Sequence, residues 1–143
     1  MRSPLNLDSV PGQTGYVSGV AGRAYNEAGF RHFLDIERRR AARSGHSLLL
    51  VLVEVRDMGR VVTLTPLAAG RIFEALGATV REVDFVGWFR HGRVPAAALV
   101  QRATPSPEVR QQIANRVLTL LSRERVHIGG ATRIRVVPIH CKR

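Results

Sequence analysis

The chain has 143 residues, a formal net charge of +11 and a hydrophobic content of 45%. This length and composition suit one domain with an ordinary core and exclude two full domains. The longest apolar run, residues 48–53, is far shorter than the ~20 residues of a membrane span, and no basic-then-apolar signal pattern opens the sequence. We therefore expect a soluble, cytoplasmic domain without a membrane span.

The basic charge consists almost entirely of arginine, since Lys142 is the one lysine among 22 cations. The planar guanidinium suits phosphate, carboxylate or guanine, so one interpretation is an anionic partner and the other is an arginine-biased, solvated surface. The sequence has no basic tail, zinc-finger spacing or basic stripe interleaved with aromatics, which argues against nucleic acid. The single cysteine, Cys141, cannot form an internal disulfide, which fits a reducing compartment.

The N-terminal third of the sequence predicts an arm followed by a helix. Residues 1–22 are rich in glycine, serine and proline without a sustained period, so we expect a flexible arm there and one domain over residues 23–143. Residues 26–45 predict a helix, because Phe30, Phe33 and Leu34 share a face and Gly45 ends the pattern. The arginines at 38–40 form the solvated side of that helix.

The middle of the sequence predicts a central strand and a second helix. Residues 47–55 (SLLLVLVEV) form a continuous apolar run, which is typical of a strand covered on both faces. Thr65 and Pro66 then supply an N-cap and a first-turn proline for a helix whose apolar positions continue to Val80.

The C-terminal half predicts a hairpin, a third helix and a last strand. Residues 83–89 and 94–100 flank a short turn with a glycine placed for a positive φ, which indicates a β-hairpin. Ser106 and Pro107 begin a helix, and residues 132–139 alternate apolar side chains with Arg133 and Arg135, as in a half-exposed strand. The order α-β-α-β-β-α-β favours an α/β (α+β) fold with a βαββαβ core behind a first helix.

From residue 20 to residue 139 this order resembles the GGDEF domain of bacterial diguanylate cyclases, a nucleotidyl cyclase fold with a ferredoxin-like core. Val20-Ala21-Gly22, followed by Asn26 and Phe30, is similar to the family's opening motif Leu-Thr-Gly-Leu-x-Asn-Arg-Arg-x-Phe. Arg81 and Asp84 match the Arg-x-x-Asp that precedes the family's signature, and residues 85–89 supply the five-residue spacer. The Gly-Gly-Asp-Glu-Phe signature itself is replaced by Arg90, His91, Gly92, Arg93 and Val94.

The departures from the family fall on its catalytic residues. A diguanylate cyclase uses paired acids to hold two divalent cations against the phosphates of GTP. The resemblance puts Glu54 and Arg56 at the two metal-aspartate positions, and Gly92 and Arg93 at the acidic pair of the hairpin. One carboxylate cannot hold two metal ions. The resemblance therefore implies a degenerate GGDEF domain that is not an enzyme and has no metal, cofactor or catalytic residue.

In this family the Arg-x-x-Asp is the inhibitory site that binds cyclic di-GMP. An arginine fork bonds guanine O6 and N7 or a phosphate, and a carboxylate accepts from the guanine N1 and N2 hydrogens. The resemblance thus implies that Arg81 and Asp84 bind cyclic di-GMP, and that the domain is a signalling effector. The alternative for this pair is a salt bridge that closes the turn between helix and strand. The function would then be a GGDEF-like scaffold that meets a protein partner, or a second copy as a homodimer, without nucleotide.

Other side chains suit structural roles. No histidine is paired with a second histidine or an acid at metal-ligand spacing. Gly129 and Gly130 indicate a turn before the last strand rather than a phosphate loop. Glu54 and Asp57 form an acidic pair in the sequence, but the neighbouring Arg56 and Arg60 predict a surface salt-bridge cluster instead.

Overall fold

The structure is a computed structural model that describes residues 24–123 and 130–139. The predicted arm at residues 1–22, the opening motif Val20-Ala21-Gly22, Gly129, Cys141 and Lys142 lie outside the described residues. The elements in chain order are β1 Ala24–Tyr25, α1 Glu27–Ser44, β2 Ser47–Asp57, β3 Arg60–Val61, α2 Pro66–Gly77, β4 Phe85–Arg90, β5 Val94–Gln101, α3 Pro107–Ser122 and β6 Ala131–Ile139.

The three helices begin at polar caps, of which the sequence predicted those at Thr65 and Ser106. Asn26 Oδ1 accepts from Gly29 N at 2.8 Å, which satisfies one of the free N–H groups in the first turn of α1. Gly45 ends α1 with a φ of 73°, a left-handed conformation in which a Cβ is unfavourable. Thr65 and Ser106 cap α2 and α3 in the same way, and each precedes a proline in the first turn.

The central strand of the sheet is β2. Its residues 48–52 pair antiparallel with β5 on one side and with β6 on the other, and β4 pairs antiparallel with β5 and parallel with β1. The order across the sheet is β6-β2-β5-β4-β1, and β3 pairs with the end of β2. The described residues therefore form an α+β domain with a six-stranded sheet. The sequence pattern did not predict β1 or β3, because two residues are too few to show a period.

A proline explains why β2 changes partners. Pro95 is fully buried in β5, and the pairing of β5 with β2 stops one residue away, at Leu52 opposite Ala96. A proline has no N–H to donate to a neighbouring strand. It is therefore found where a ladder of hydrogen bonds ends, as the ladder between β5 and β2 does here. β2 then continues beside β3, from Arg56 opposite Val61.

The core has two layers because successive side chains of β2 point to opposite faces of the sheet. On one face, under α2 and α3, a cluster includes alternate residues of β2 and the edge-to-face pair Phe73 and Trp88, with ring centroids 5.1 Å apart. On the other face, under α1, Phe30 packs on Leu50 and Leu52. Both faces of β2 are covered there, as the apolar run predicted.

The close approach of α1 to β4 depends on a glycine. A Cβ added at Gly87 would lie 2.6 Å from the carbonyl oxygen of Tyr25 and 3.0 Å from the ring of Phe30. Any larger side chain there would push β1 and α1 away from β4.

The element boundaries differ slightly from those predicted: β4 begins at Phe85 rather than residue 83, and α2 ends at Gly77, before Val80.

Candidate functional site

The predicted hairpin is present and is fixed to its surroundings. β4 ends at Arg90 and β5 begins at Val94, with Gly92 at a φ of 73° in the turn between them. His91 N donates to Glu27 Oε1 at 2.6 Å, which ties the turn to the start of α1. Leu64 N donates to Gly92 O at 2.8 Å, which ties it to the segment before α2.

The turn itself exposes two arginines, and none of its residues 90–94 is acidic. Arg90, His91 and Arg93 are exposed, and Gly92 is half-buried. These residues lie together at one end of the sheet, where two exposed guanidiniums present positive charge close to the carboxylate of Glu27.

Glu54 lies in a cluster of arginines close to the same end of the sheet. Its side chain is 10% exposed, with Oε1 3.4 Å from Arg56 Nη2 and Oε2 4.0 Å from Arg135 Nη1. Arg133 stands directly opposite Glu54 in the register of β2 and β6, and therefore on the same face. We call Arg56, Arg133 and Arg135 the arginine face.

The salt-bridge cluster predicted around Glu54 differs in one member from the cluster in the structure. Asp57 pairs in register with Arg60 and is odd-numbered on β2, so both lie on the opposite face from Glu54. The predicted cluster therefore keeps Arg56, loses Arg60 and includes Arg135 instead. The sequence did not reveal Arg135 as a partner, because that contact depends on the register of two strands more than 70 residues apart.

This cluster carries more positive than negative charge. A carboxylate beside two guanidiniums is already neutralised, and the remaining positive charge is exposed on Arg56 and Arg135, which are 38% and 47% exposed. In the part of the chain that the structure describes, no group of three or more histidine, cysteine, aspartate or glutamate side chains is placed to hold a metal ion.

Arg81 and Asp84, the predicted nucleotide-binding pair, contact each other directly. Asp84 Oδ2 accepts from Arg81 N at 2.8 Å and from Arg81 Nε at 3.1 Å. Asp84 Oδ1 accepts from Arg81 Nη2 at 3.2 Å and from Val100 N at 2.9 Å, and Arg81 Nη2 also donates to Val100 O. This arrangement, which we call the Asp84 clamp, ties the loop after α2 to the end of β5.

The two members of the clamp differ in accessibility. The side chain of Asp84 is 1% exposed, whereas that of Arg81 is 60% exposed. Both carboxylate oxygens of Asp84 already accept two hydrogen bonds, so a guanine edge gains access to them only if Arg81 or Val100 N moves. Sequence reasoning found the pair but missed Val100, which lies 16 residues further along the chain and has no signal of its own.

Comparisons with known proteins identify no family. No family model matches the chain, and no curated protein matches its sequence at a significant level. Within residues 24–123 and 130–139, no helix is both long and apolar enough to cross a bilayer.

Proposed function

We propose that this chain is a non-catalytic domain of GGDEF-like construction that functions as an interaction scaffold. The observation that carries this proposal is the burial of Asp84, whose carboxylate has four protein donors and 1% exposure. A carboxylate held in this way stabilises a loop, and it is poorly available to the N1 and N2 hydrogens of a guanine.

The strand arrangement supports a GGDEF-like framework. The order β6-β2-β5-β4 with antiparallel neighbours, and with α2 and α3 between strands that are not adjacent, agrees with a ferredoxin-like βαββαβ core. α1 precedes that core, as the resemblance implies, and it packs on the face opposite to α2 and α3. We therefore assign the fold to the GGDEF-like type as part of this proposal.

The arginine face supports a function without catalysis. A cyclase needs acids to hold two cations, but Glu54 is neutralised by Arg56 and Arg135 at the corresponding end of the sheet. Incubation of the full chain with GTP and Mg²⁺ or Mn²⁺ is expected to yield no cyclic di-GMP by liquid chromatography. Turnover above a control without protein would overturn both this proposal and the alignment.

Cyclic di-GMP binding in a signalling effector is the second candidate, and the exposure of Arg81 favours it. The guanidinium of Arg81 is 60% exposed, and its Nη1 makes no hydrogen bond within the described residues. That nitrogen is available to guanine O6 or a phosphate oxygen while Nε and Nη2 stay on Asp84. In this candidate function, the guanidinium of Arg81 contacts the nucleotide, and Asp84 holds that guanidinium in position.

A calorimetric titration with cyclic di-GMP at low salt separates the two candidates. The scaffold function predicts no heat of binding up to high micromolar ligand. The effector function predicts saturable binding that Arg81→Ala weakens by about tenfold to a hundredfold, because a charge-assisted hydrogen bond contributes roughly 1.5–3 kcal/mol. Arg116→Ala, an exposed arginine on α3, is the matched control and should bind like the wild type.

A further inference from the structure

Within residues 24–123 and 130–139, β6 is an edge strand of the sheet, and its residues 131–138 have no second neighbouring strand there. Among the described residues β6 pairs only with β2, from Ala131 opposite Arg56 to Ile139 opposite Leu48. Alternate N–H and C=O groups of an edge strand point away from its one neighbour and are free to pair with another strand. Pro138 lies within β6, and prolines inside sheets are found on edge strands.

On the face that carries α3, a groove runs beside this edge. Its volume is about 210 Å³, below the roughly 300–1,000 Å³ of small-molecule pockets, and its lining combines apolar with polar side chains, so it suits a peptide side chain better than a nucleotide. Ile134 and Val136 of β6 are half-buried in its wall, because α3 covers them only partly. The groove is lined by Pro107, Arg110, Gln111, Ala114, Ile134 and Val136.

On the other face, the same strand presents the arginine face. Arg133 is exposed and makes no ion pair within residues 24–123 and 130–139, and Arg135 reaches only Glu54, at 4.0 Å. The main contacts of α1 within the sheet are with β4, β2 and β5, and both Arg133 and Arg135 are exposed. The edge therefore has the half-buried apolar side chains of Ile134 and Val136 on one face and exposed arginines on the other.

We infer that the open edge of β6 docks an extended acidic segment of a partner protein, which adds to the sheet as a further strand. Residues directly opposite each other on paired strands share a face. Acidic side chains of the segment would lie opposite Arg133 and Arg135, and apolar ones opposite Ile134 and Val136 beside the groove. Main-chain hydrogen bonds supply affinity, and the alternating side chains supply specificity. The inference rests on the proposed scaffold function and names its partner chemistry.

Charge complementarity favours an acidic peptide over a second copy of this chain. Two copies joined through β6 would bring the Arg133 and Arg135 of both onto one face of the extended sheet, where like charges on paired strands are destabilising. A nucleic acid would engage the arginines but would use neither the backbone edge nor the groove. The aromatic pairs Tyr25–Phe33 and Tyr25–Phe85, which offer stacking surfaces, lie at the opposite edge of the sheet.

The test uses the full chain and a labelled synthetic nine-residue peptide in which glutamate alternates with valine. Fluorescence anisotropy in about 50 mM salt should show saturable binding that weakens as salt rises. The same peptide with lysine for glutamate, or with proline for valine, should not bind, since it lacks the charge or the strand-forming backbone. Failure of the glutamate peptide to bind would overturn the inference.

Two pairs of variants locate the peptide. Gln111→Trp fills the groove and should weaken binding about tenfold, whereas Gln112→Trp, on an exposed neighbour that does not line the groove, should not. Arg133→Gln with Arg135→Gln should weaken binding by about fivefold to tenfold through two lost ion pairs. Arg38→Gln with Arg43→Gln, two exposed arginines of α1, is the control. Binding that neither groove nor arginine variants weaken would place the peptide elsewhere and overturn the inference.

Two other outcomes would also overturn it. One is a single-stranded RNA that displaces the peptide and depends on Arg133 and Arg135 but not on Gln111. The other is a dimer, seen by light scattering, that Gln111→Trp separates. If the scaffold function is wrong, the chain should turn over GTP or bind cyclic di-GMP through Arg81. These measurements are independent of the peptide test, because the β6 variants do not change the Asp84 clamp.

Discussion

Asp84 and Glu54 are both buried acids held by arginine, yet the protein holds them in different ways. Asp84 receives four hydrogen bonds of 2.8–3.2 Å, two of them from backbone N–H groups. Among the described residues, Glu54 forms ion pairs with two partly exposed arginines, at 3.4 and 4.0 Å. Backbone N–H groups keep their positions when the salt concentration changes. An exposed guanidinium, by contrast, readily exchanges its carboxylate partner for water or a salt ion.

The contrast separates two roles for the same residue types. The Asp84 clamp is a structural joint, because its donors belong to the loop after α2 and to β5. The arginine face is a surface that keeps most of its positive charge available, because Glu54 neutralises only part of it. Similar salt bridges thus fix a loop in one place and leave a positively charged surface in the other.

The largest effect should come from Asp84→Ala. The change leaves two backbone N–H groups and a guanidinium without their acceptor, so we expect a loss of about 3 kcal/mol in the free energy of unfolding. Urea denaturation followed by circular dichroism measures it, with the exposed neighbour Glu82→Ala as a control that should change stability by less than about 0.5 kcal/mol. A loss below about 1 kcal/mol for Asp84→Ala would contradict the structural role.

Arg81→Ala should destabilise the protein less, by about 1–2 kcal/mol. Asp84 keeps the backbone N–H groups of residue 81 and Val100, and water can reach the carboxylate through the space that the exposed side chain leaves. The same urea experiment measures the difference. A loss as large as that of Asp84→Ala would mean that the guanidinium, and not the backbone donors, carries the clamp.

Glu54→Gln should have a smaller effect, about 0.5–1 kcal/mol, because it removes two long and partly solvated ion pairs while keeping the side-chain shape. Asp57→Asn is the matched control on the opposite face of β2 and should be nearly neutral. Thermal unfolding of both variants gives the comparison. If Glu54→Gln costs more than Asp84→Ala, the proposed contrast between the two acids is reversed.

The smallest expected effect is a difference in how salt changes the contributions of Glu54 and Asp84 to stability. Raising NaCl from about 0.05 to 0.5 M should roughly halve the stability difference between wild type and Glu54→Gln, because exposed charges are screened. The difference for Asp84→Ala should stay within about 0.3 kcal/mol, since buried pairs are screened much less. Urea titrations at the two salt concentrations measure both, and equal sensitivity would remove the distinction.

Local signals predicted much of the fold. Asn26, Thr65 and Ser106 each begin a helix, because a short polar side chain before an apolar period satisfies the free N–H groups of a first turn. Gly92 adopts the positive φ that the hairpin turn requires. These features depend on residues within a few positions of one another, and a sequence displays such relations directly.

The candidate sites depended on relations that a sequence does not display. Arg81 and Asp84 were recognisable as a pair, but the burial of Asp84 follows from its bond to Val100 across the fold. The approach of Arg135 to Glu54 and the groove beside Ile134 follow from the register of β6 on β2 and from the position of α3. The cyclic di-GMP hypothesis stays a prediction, because it depends on a ligand and not on the fold.

The central position of β2 also has a consequence for synthesis. This apolar strand is complete at Asp57, but β5, which covers one side, ends at Gln101, and β6, which covers the other, ends at Ile139. A nascent chain therefore displays an unpaired, aggregation-prone strand while most of the domain is still being translated. Pairing over such sequence separations is slow compared with local helix formation. The sheet described here closes only after β6 has been synthesised, and until then one side of β2 lacks its partner strand.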